Sequence, residues 1–131
     1  MTPEQLKERT KRFALEVIAL VGTLPRTLVA EIIAGQMVRS GTSTGANYRA
    51  ACRARSRAEF VAKIGVAEEE ADETQYWLEL LLETTLAKSE TVRRLIAEAT
   101  ELVAILSASR KTAREAEKER RRMVETRKVD D

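Results

Sequence analysis

The sequence predicts an all-α fold, an antiparallel up-down four-helix bundle over residues 1–108 with a basic, charged helical extension over residues 109–131. Apolar residues recur every three or four positions in four stretches of the chain, which is the spacing of amphipathic helices. Proline, glycine and helix-capping residues separate those stretches, and no stretch shows the alternation of a β-strand. The short connections favour antiparallel packing of consecutive helices.

The first helix is predicted over residues 3–21. It follows a capping box in which Thr2 precedes a proline and, three residues later, a glutamine. Gly22 and Pro25 then interrupt the apolar periodicity and turn the chain. The second helix is predicted over residues 26–54.

A second capping box, from Ser56 to Glu59, starts the third helix, predicted over residues 57–86. Its Trp77 is the only tryptophan of the chain, and we expect it to anchor the core or a subunit interface. The fourth helix is predicted over residues 90–108, where its stripe of core residues ends. The extension has few apolar residues, so we expect a solvated helix that frays toward its end.

The inward face of the second helix changes from apolar to small and polar after its first turns. An interior glycine costs about 1 kcal/mol relative to alanine, so several of them need a structural reason. Either a neighbouring helix approaches closely or the helix bends at Gly41. We expect the polar residues to hydrogen-bond across a tight helix crossing; the alternative is a groove that contacts a ligand. The residues concerned are Gln36, Ser40, Ser43 and Asn47, with Gly35, Gly41 and Gly45 beside them.

The composition argues against an enzyme. The chain has no histidine and one cysteine, Cys52, which excludes a Ser-His or Cys-His nucleophile and disfavours a zinc site. We therefore expect no catalytic residue, no metal and no cofactor. One alternative is an enzyme that uses Glu68, Glu69 or Asp72. The other is a site for a divalent cation, because Glu69 and Glu73, or Glu68 and Asp72, lie one helical turn apart.

The N-terminus lacks the basic and apolar regions of a signal peptide, and no apolar run approaches the ~20 residues that a bilayer requires. We therefore expect a cytoplasmic protein with no membrane association.

Charge is segregated along the chain. Residues 1–57 carry ten Lys and Arg against four Asp and Glu, a net charge of +6. Residues 58–101 carry four against eleven, a net charge of −7, and residues 102–131 carry nine against six, a net charge of +3. Such blocks bear on the choice of partner and on self-association. The basic first part and the acidic third helix predict a head-to-tail contact between subunits.

Arginines cluster where the second helix meets the third, and again in the extension. Arg49 and Arg53 are one turn apart, so they share a helix face and could contact successive phosphates. The alternative is that the arginines pair with the acidic third helix, within the chain or across a subunit boundary. The candidate nucleic-acid-binding residues are Arg39, Arg49, Arg53, Arg55, Arg57, Arg120, Arg121 and Arg122.

The segments from Gln36 to Phe60 and from Glu73 to Leu81 closely resemble the four-helix-bundle proteins related to the ribosomal-RNA intervening-sequence proteins. The resemblance covers the chain from about Phe13 to Leu106. It rests on a Gln-x-x-Arg-Ser motif, a Ser-x-x-x-Asn motif and the run Trp-Leu-Glu-Leu-Leu. The motif positions are Gln36, Arg39, Ser40, Ser43, Asn47, Phe60 and Trp77.

One position departs from the family pattern. Ala50 stands where the pattern usually has a glutamate. If that glutamate normally pairs with an arginine, its loss would free one of Arg39, Arg49 or Arg53 for another partner.

The resemblance implies a cyclic homopentamer, with members encoded inside inserts of bacterial large-subunit ribosomal RNA genes. It also implies distant kinship with the accessory variability determinant of diversity-generating retroelements, a basic pentameric barrel that binds nucleic acid and a reverse transcriptase. We therefore expect a non-enzymatic, oligomeric accessory protein that contacts structured RNA or DNA, with a reverse transcriptase or another protein as a further partner. The alternative is a protein–protein scaffold with no nucleic-acid role.

Overall fold

The computed structural model describes residues 1–130 and confirms the all-α bundle, since these residues form four helices and no strand. Where two consecutive helices touch, residue numbers rise along one helix and fall along the other. Val17 and Thr10 of the first helix, for example, lie beside Gly41 and Gly45 of the second. Consecutive helices are therefore antiparallel. The helices are α1 (Pro3–Val21), α2 (Leu28–Cys52), α3 (Arg57–Glu83) and α4 (Ser89–Asp130).

The third helix is the centre of the packing. α3 contacts both α2 and α4 extensively, α1 packs mainly on α2, and α1 and α4 touch least. Aliphatic side chains fill most of the space between the helices, as the low aromatic content requires. The largest fully buried apolar side chains are Phe13, Val17, Met37, Ile64, Leu78, Leu81, Val92, Leu95, Leu102 and Leu106.

Both capping residues predicted from the sequence start their helices. The Thr2 hydroxyl accepts from the backbone N–H of Gln5, whose side chain accepts from the Thr2 N–H in return. The Ser56 hydroxyl accepts from the Glu59 N–H at 3.0 Å. The Glu59 carboxylate accepts from the N–H of Arg55 at 3.2 Å, one residue before the position that the capping box predicts.

Five helix boundaries differ from the predicted ones. α2 runs from Leu28 to Cys52 instead of over residues 26–54, and α4 begins at Ser89 instead of residue 90. The larger differences are at the ends of α3 and α4. α3 ends at Glu83 instead of residue 86, because Thr85 adopts a left-handed backbone conformation with φ 54° that a helix cannot continue. α4 does not end with its core stripe at residue 108, since the helix continues without a break to Asp130. The fraying expected toward Asp131 falls on a residue outside the described range.

Close approach of α1 explains two of the glycines in α2. A Cβ atom at Gly41 would lie 3.2 Å from Val17 Cγ1, and one at Gly45 would lie 3.1 Å from Thr10 Oγ1. Nothing lies within 4 Å of the corresponding position at Gly35. Gly41 and Gly45 therefore let α1 and α2 pack tightly, whereas packing does not explain Gly35.

Candidate nucleic-acid interface

Four arginines lie exposed where α2 passes into α3. We call Arg49, Arg53, Arg55 and Arg57 the arginine turn. α2 ends at Cys52 and the Ser56 cap starts α3 at Arg57, so the connection is short and keeps the four residues at one end of the bundle. Within residues 1–130, none of the four guanidinium groups lies within ion-pair distance of a carboxylate. The turn therefore presents four guanidinium groups without an ion-pair partner in that range, and the carboxylate beside it along the chain, that of Glu59, accepts from the backbone N–H of Arg55.

Arg39 lies apart from this turn, and its charge is compensated. Its guanidinium donates to Glu70 at 3.0 Å and also contacts Glu73, both on α3. Arg39 thus pairs with the acidic third helix within the chain, whereas Arg49 and Arg53 do not. Ala50 leaves Arg49 and Arg53 without a carboxylate on their own helix turn.

The three candidate arginines of the extension pair within their own helix. Arg120 and Arg121 both donate to Glu117, and Arg122 donates to Glu119 at 3.3 Å. The arginine side chains remain 58–69% exposed, so solvent screens their charges, although Glu117 itself is 12% exposed beneath Arg120 and Arg121. Such pairs contribute little, and a phosphate could replace the carboxylate as the partner of these arginines.

Arg110 ties the first part of the extension to the bundle. Its Nε donates to Glu68 of α3 at 2.7 Å, and this hydrogen bond raises the pKa of Arg110. One of the carboxylates considered for a cation site is thereby engaged by an arginine. No cluster of three metal-ligating side chains occurs anywhere in residues 1–130.

The polar motif positions of α2 differ in their environment. Ser40 is fully buried and lies 2.8 Å, oxygen to oxygen, from the Thr74 hydroxyl of α3, which is the hydrogen bond across a helix crossing that the sequence predicts. Ser43 and Asn47 are only partly buried, and Asn47 donates back to the Ser43 carbonyl of its own helix. Gln36, also partly buried, accepts from Arg39.

Sequence reasoning overlooked Thr44 and Tyr48, which are buried on the same face of α2 as Ser40. The Thr44 hydroxyl donates to the Ser40 carbonyl at 3.0 Å. The spacing from Met37 through Gly41 and Thr44 to Tyr48 is a regular helical stripe, so the sequence carries the signal that could have identified both residues.

The two aromatic motif residues both lie at the edge of the core. Trp77 packs partly against it, makes an edge contact with Tyr76 at a centroid distance of 5.2 Å, and donates its Nε1–H to Glu73 at 3.1 Å. Phe60 is also partly buried against the core, one turn after the arginine turn.

Within the described part of the chain, no helix combines the length and apolar character needed to cross a bilayer.

Comparison with known proteins identifies a family and a similar solved structure. The family described as 23S rRNA-intervening sequence protein matches residues 4–108. A solved structure from Bacteroides thetaiotaomicron VPI-5482, described as a protein with unknown function from the S23 ribosomal protein family, is similar with a TM-score of 0.78 and 36% sequence identity. That similarity covers 85% of this chain and 99% of the other. No curated protein matches the chain.

Proposed function

The chain belongs to the 23S rRNA-intervening sequence protein family, and from this membership we propose that it is a non-enzymatic cytoplasmic protein that binds structured RNA through basic surfaces. The observation that carries the proposal is the arginine turn, because four exposed guanidinium groups without carboxylate partners form a ready site for phosphates. The ribosomal RNA in the family's description favours RNA over DNA as the partner.

The extension continues this basic surface. Arg57 of the arginine turn lines the same shallow hollow as Ala113 and Ala116 of α4, so the extension begins beside the turn. Its remaining basic residues project along one helix away from the bundle. Phosphate contacts of this kind supply affinity without selecting a base sequence, so binding should tolerate changes of sequence.

A titration of labelled, structured RNA at ~50 and ~200 mM salt tests the proposal. Release of counterions from several phosphates should weaken binding by orders of magnitude between the two conditions. The double variant Arg53→Glu with Arg55→Glu should lower the affinity further and flatten the salt dependence. The matched control is Lys88→Glu with Arg93→Glu, which reverses two exposed basic residues near the α3–α4 connection, at the opposite end of the bundle.

Absence of RNA binding at low salt would overturn the proposal. An equal loss of affinity in both double variants would show that only the overall charge matters and would remove the arginine turn from the site. A DNA duplex of equal length, titrated alongside, decides whether the partner is RNA or nucleic acid in general.

The second candidate function is that of a protein–protein scaffold, and an exposed apolar surface favours it. We define the hairpin patch as Leu28, Val29 and Ile32, which lie within about one turn at the start of α2 and are each large and more than half exposed. Apolar side chains grouped in this way are typical of interaction sites. A homo-oligomer, the cyclic pentamer that the family resemblance implies, would cover them.

Charge reversal in the arginine turn separates the two functions. Loss of assembly in the Arg53→Glu, Arg55→Glu variant would favour the scaffold, because the arginines would then serve subunit contacts. Intact assembly with lost RNA binding would favour the nucleic-acid function. A reverse transcriptase as a further partner stays a prediction from the resemblance.

A further inference from the structure

An open cleft lies directly beside the arginine turn. Its volume is about 530 Å³, within the usual range for small-molecule sites. It lies between the start of α1, the end of α2 and the part of α4 around Ser109. Two residues of the α2–α3 connection, Ala54 and Ser56, line it, and the residues that alternate with them are arginines of the turn. The cleft and the unpaired guanidinium groups are therefore adjacent.

The walls of the cleft are mostly aromatic and aliphatic, and its two charged side chains, Glu4 and Lys7, pair with each other at 3.0 Å. Tyr48, Phe60 and Ile105 line it together with Cys52 and Ser109. Burial raises the pKa of Tyr48, and the neighbouring Cys52 adds to the effect. Tyr48 is 4% exposed, so it forms the floor of the cleft and the polar atoms at its mouth come from residues such as Ser56 and Ser109. This lining suits a flat, uncharged ring that carries hydrogen-bonding groups on its edge.

Phe60 stands at the boundary between this cleft and a second, shallower hollow. The same ring lines both, and Arg57 lines the second hollow with it. An aromatic ring next to a guanidinium is the combination that stacks a nucleobase and holds its phosphate.

We propose that the cleft receives a single unpaired base of a structured RNA, stacked on Phe60, while the arginine turn holds the flanking phosphates. This inference rests on the proposed function and adds a ligand feature to it, namely a bulged or looped-out nucleotide. Base-paired RNA hides its base faces within the stack, whereas unpaired bases can turn outward and stack on aromatic side chains.

The experiment compares two hairpin RNAs that differ by one bulged nucleotide in an otherwise identical stem. At equal salt, the protein should bind the bulged hairpin at least about fivefold more tightly, the lower end of the effect of stacking one base. 2-Aminopurine placed at the bulge should change its fluorescence when the protein saturates the RNA. The same probe placed in the stem should not.

Two variants test the cleft itself. Phe60→Leu keeps an apolar side chain against the core but removes the ring, and Ser109→Leu fills the cleft from α4. Both should lower the affinity for the bulged hairpin to that for the paired hairpin. The matched control is Tyr76→Leu, which removes an aromatic ring that is 54% exposed elsewhere on α3 and should leave both affinities unchanged.

The outcomes separate this inference from the proposed function. Equal binding of the two hairpins by the parent protein would overturn the inference and leave RNA binding intact. An unchanged preference for the bulge in Phe60→Leu and Ser109→Leu, with helicity preserved by circular dichroism, would also overturn it. Binding of neither hairpin would overturn both proposals.

Discussion

At the scale of single residues, the spacing between α1 and α2 depends on two glycines whose surroundings differ. A Cβ atom at Gly41 would meet the branched side chain of Val17. One at Gly45 would meet Thr10 atoms that include its backbone carbonyl carbon at 3.4 Å. A backbone atom cannot rotate away as a side chain can. A methyl group at Gly45 therefore needs Thr10 to give way by a few tenths of an ångström, whereas a methyl group at Gly35 enters open space.

Alanine substitutions in α2 should consequently have opposite effects. Gly35→Ala should raise the free energy of unfolding by about 1 kcal/mol, because alanine is the better helix former. Gly45→Ala gains the same amount in propensity but loses about 1–3 kcal/mol to overpacking, so it should be destabilising or neutral. Urea denaturation followed by circular dichroism would measure both. Equal stabilisation by the two substitutions would contradict a tight contact at Gly45.

At the scale of the element, the extension of α4 is a helix whose last part is held by charge. Beyond the core stripe, its side chains are largely exposed, yet the helix continues to Asp130. Ion pairs one turn apart connect Glu115 with Lys118, Glu117 with Arg120 and Arg121, and Glu119 with Arg122. Each contributes a few tenths of a kcal/mol to an isolated helix, so the effect depends on their number.

The pKa of Glu117 tests this account. A hydrogen bond from Arg120, aided by the charges of Arg120 and Arg121, holds the pKa of Glu117 below its ordinary value of 4.5. The helix therefore gains stability from the ionised carboxylate in full above that value, and loses it as the pH falls through the lowered pKa. A carbon-13 NMR titration should give a pKa below 4.5 in the parent protein and a higher value in Arg120→Met.

The matched control is Arg122→Met, which removes the partner of Glu119 and leaves both partners of Glu117 in place. The pKa of Glu117 should stay where it was. The same upward shift in both variants would mean that the general positive charge of the extension, and not the pair with Arg120, determines the pKa.

At the scale of the whole molecule, the two ends of the bundle differ in chemistry. The end formed by the arginine turn is positively charged and bears the cleft, whereas the hairpin patch near the α1–α2 connection is apolar. Leu28, the first residue of α2, is 74% exposed. This division suggests that one end contacts nucleic acid and the other contacts a second subunit.

Assembly through the hairpin patch can be tested by adding charge there. Leu28→Lys with Ile32→Lys should raise the dissociation constant of the oligomer at least about tenfold, because each buried aliphatic side chain contributes about 1.5–3 kcal/mol. Sedimentation velocity would measure the change. Val129→Lys makes the same type of substitution at a side chain in the extension that is 85% exposed, and it should leave the mass of the oligomer unchanged. An unaltered oligomer in the double variant would exclude the patch from the subunit contact.

The helix boundaries show which features of the fold can be predicted from nearby residues alone. Thr2 and Ser56 cap their helices through hydrogen bonds within a few residues, so the starts of α1 and α3 were predicted correctly. The glycine–proline interruption likewise predicted the end of α1 at Val21. The end of α3 was not predicted, because the left-handed conformation of Thr85 carries no glycine or asparagine signal. The helical extension after residue 108 was predicted, but its unbroken continuation from the core part of α4 was not, because ion pairs along one helix do not produce an apolar pattern.

The candidate site divides in the same way. By itself, the sequence determined that this protein is a helical bundle with arginines at the α2–α3 junction, since periodicity and capping are local properties. Only the tertiary structure decided that Arg39 is compensated by α3, that Arg49 and Arg53 are not, and that Tyr48 and Phe60 meet Ser109 at one cleft. Those contacts join residues far apart in the chain, and their distances depend on how closely the helices pack.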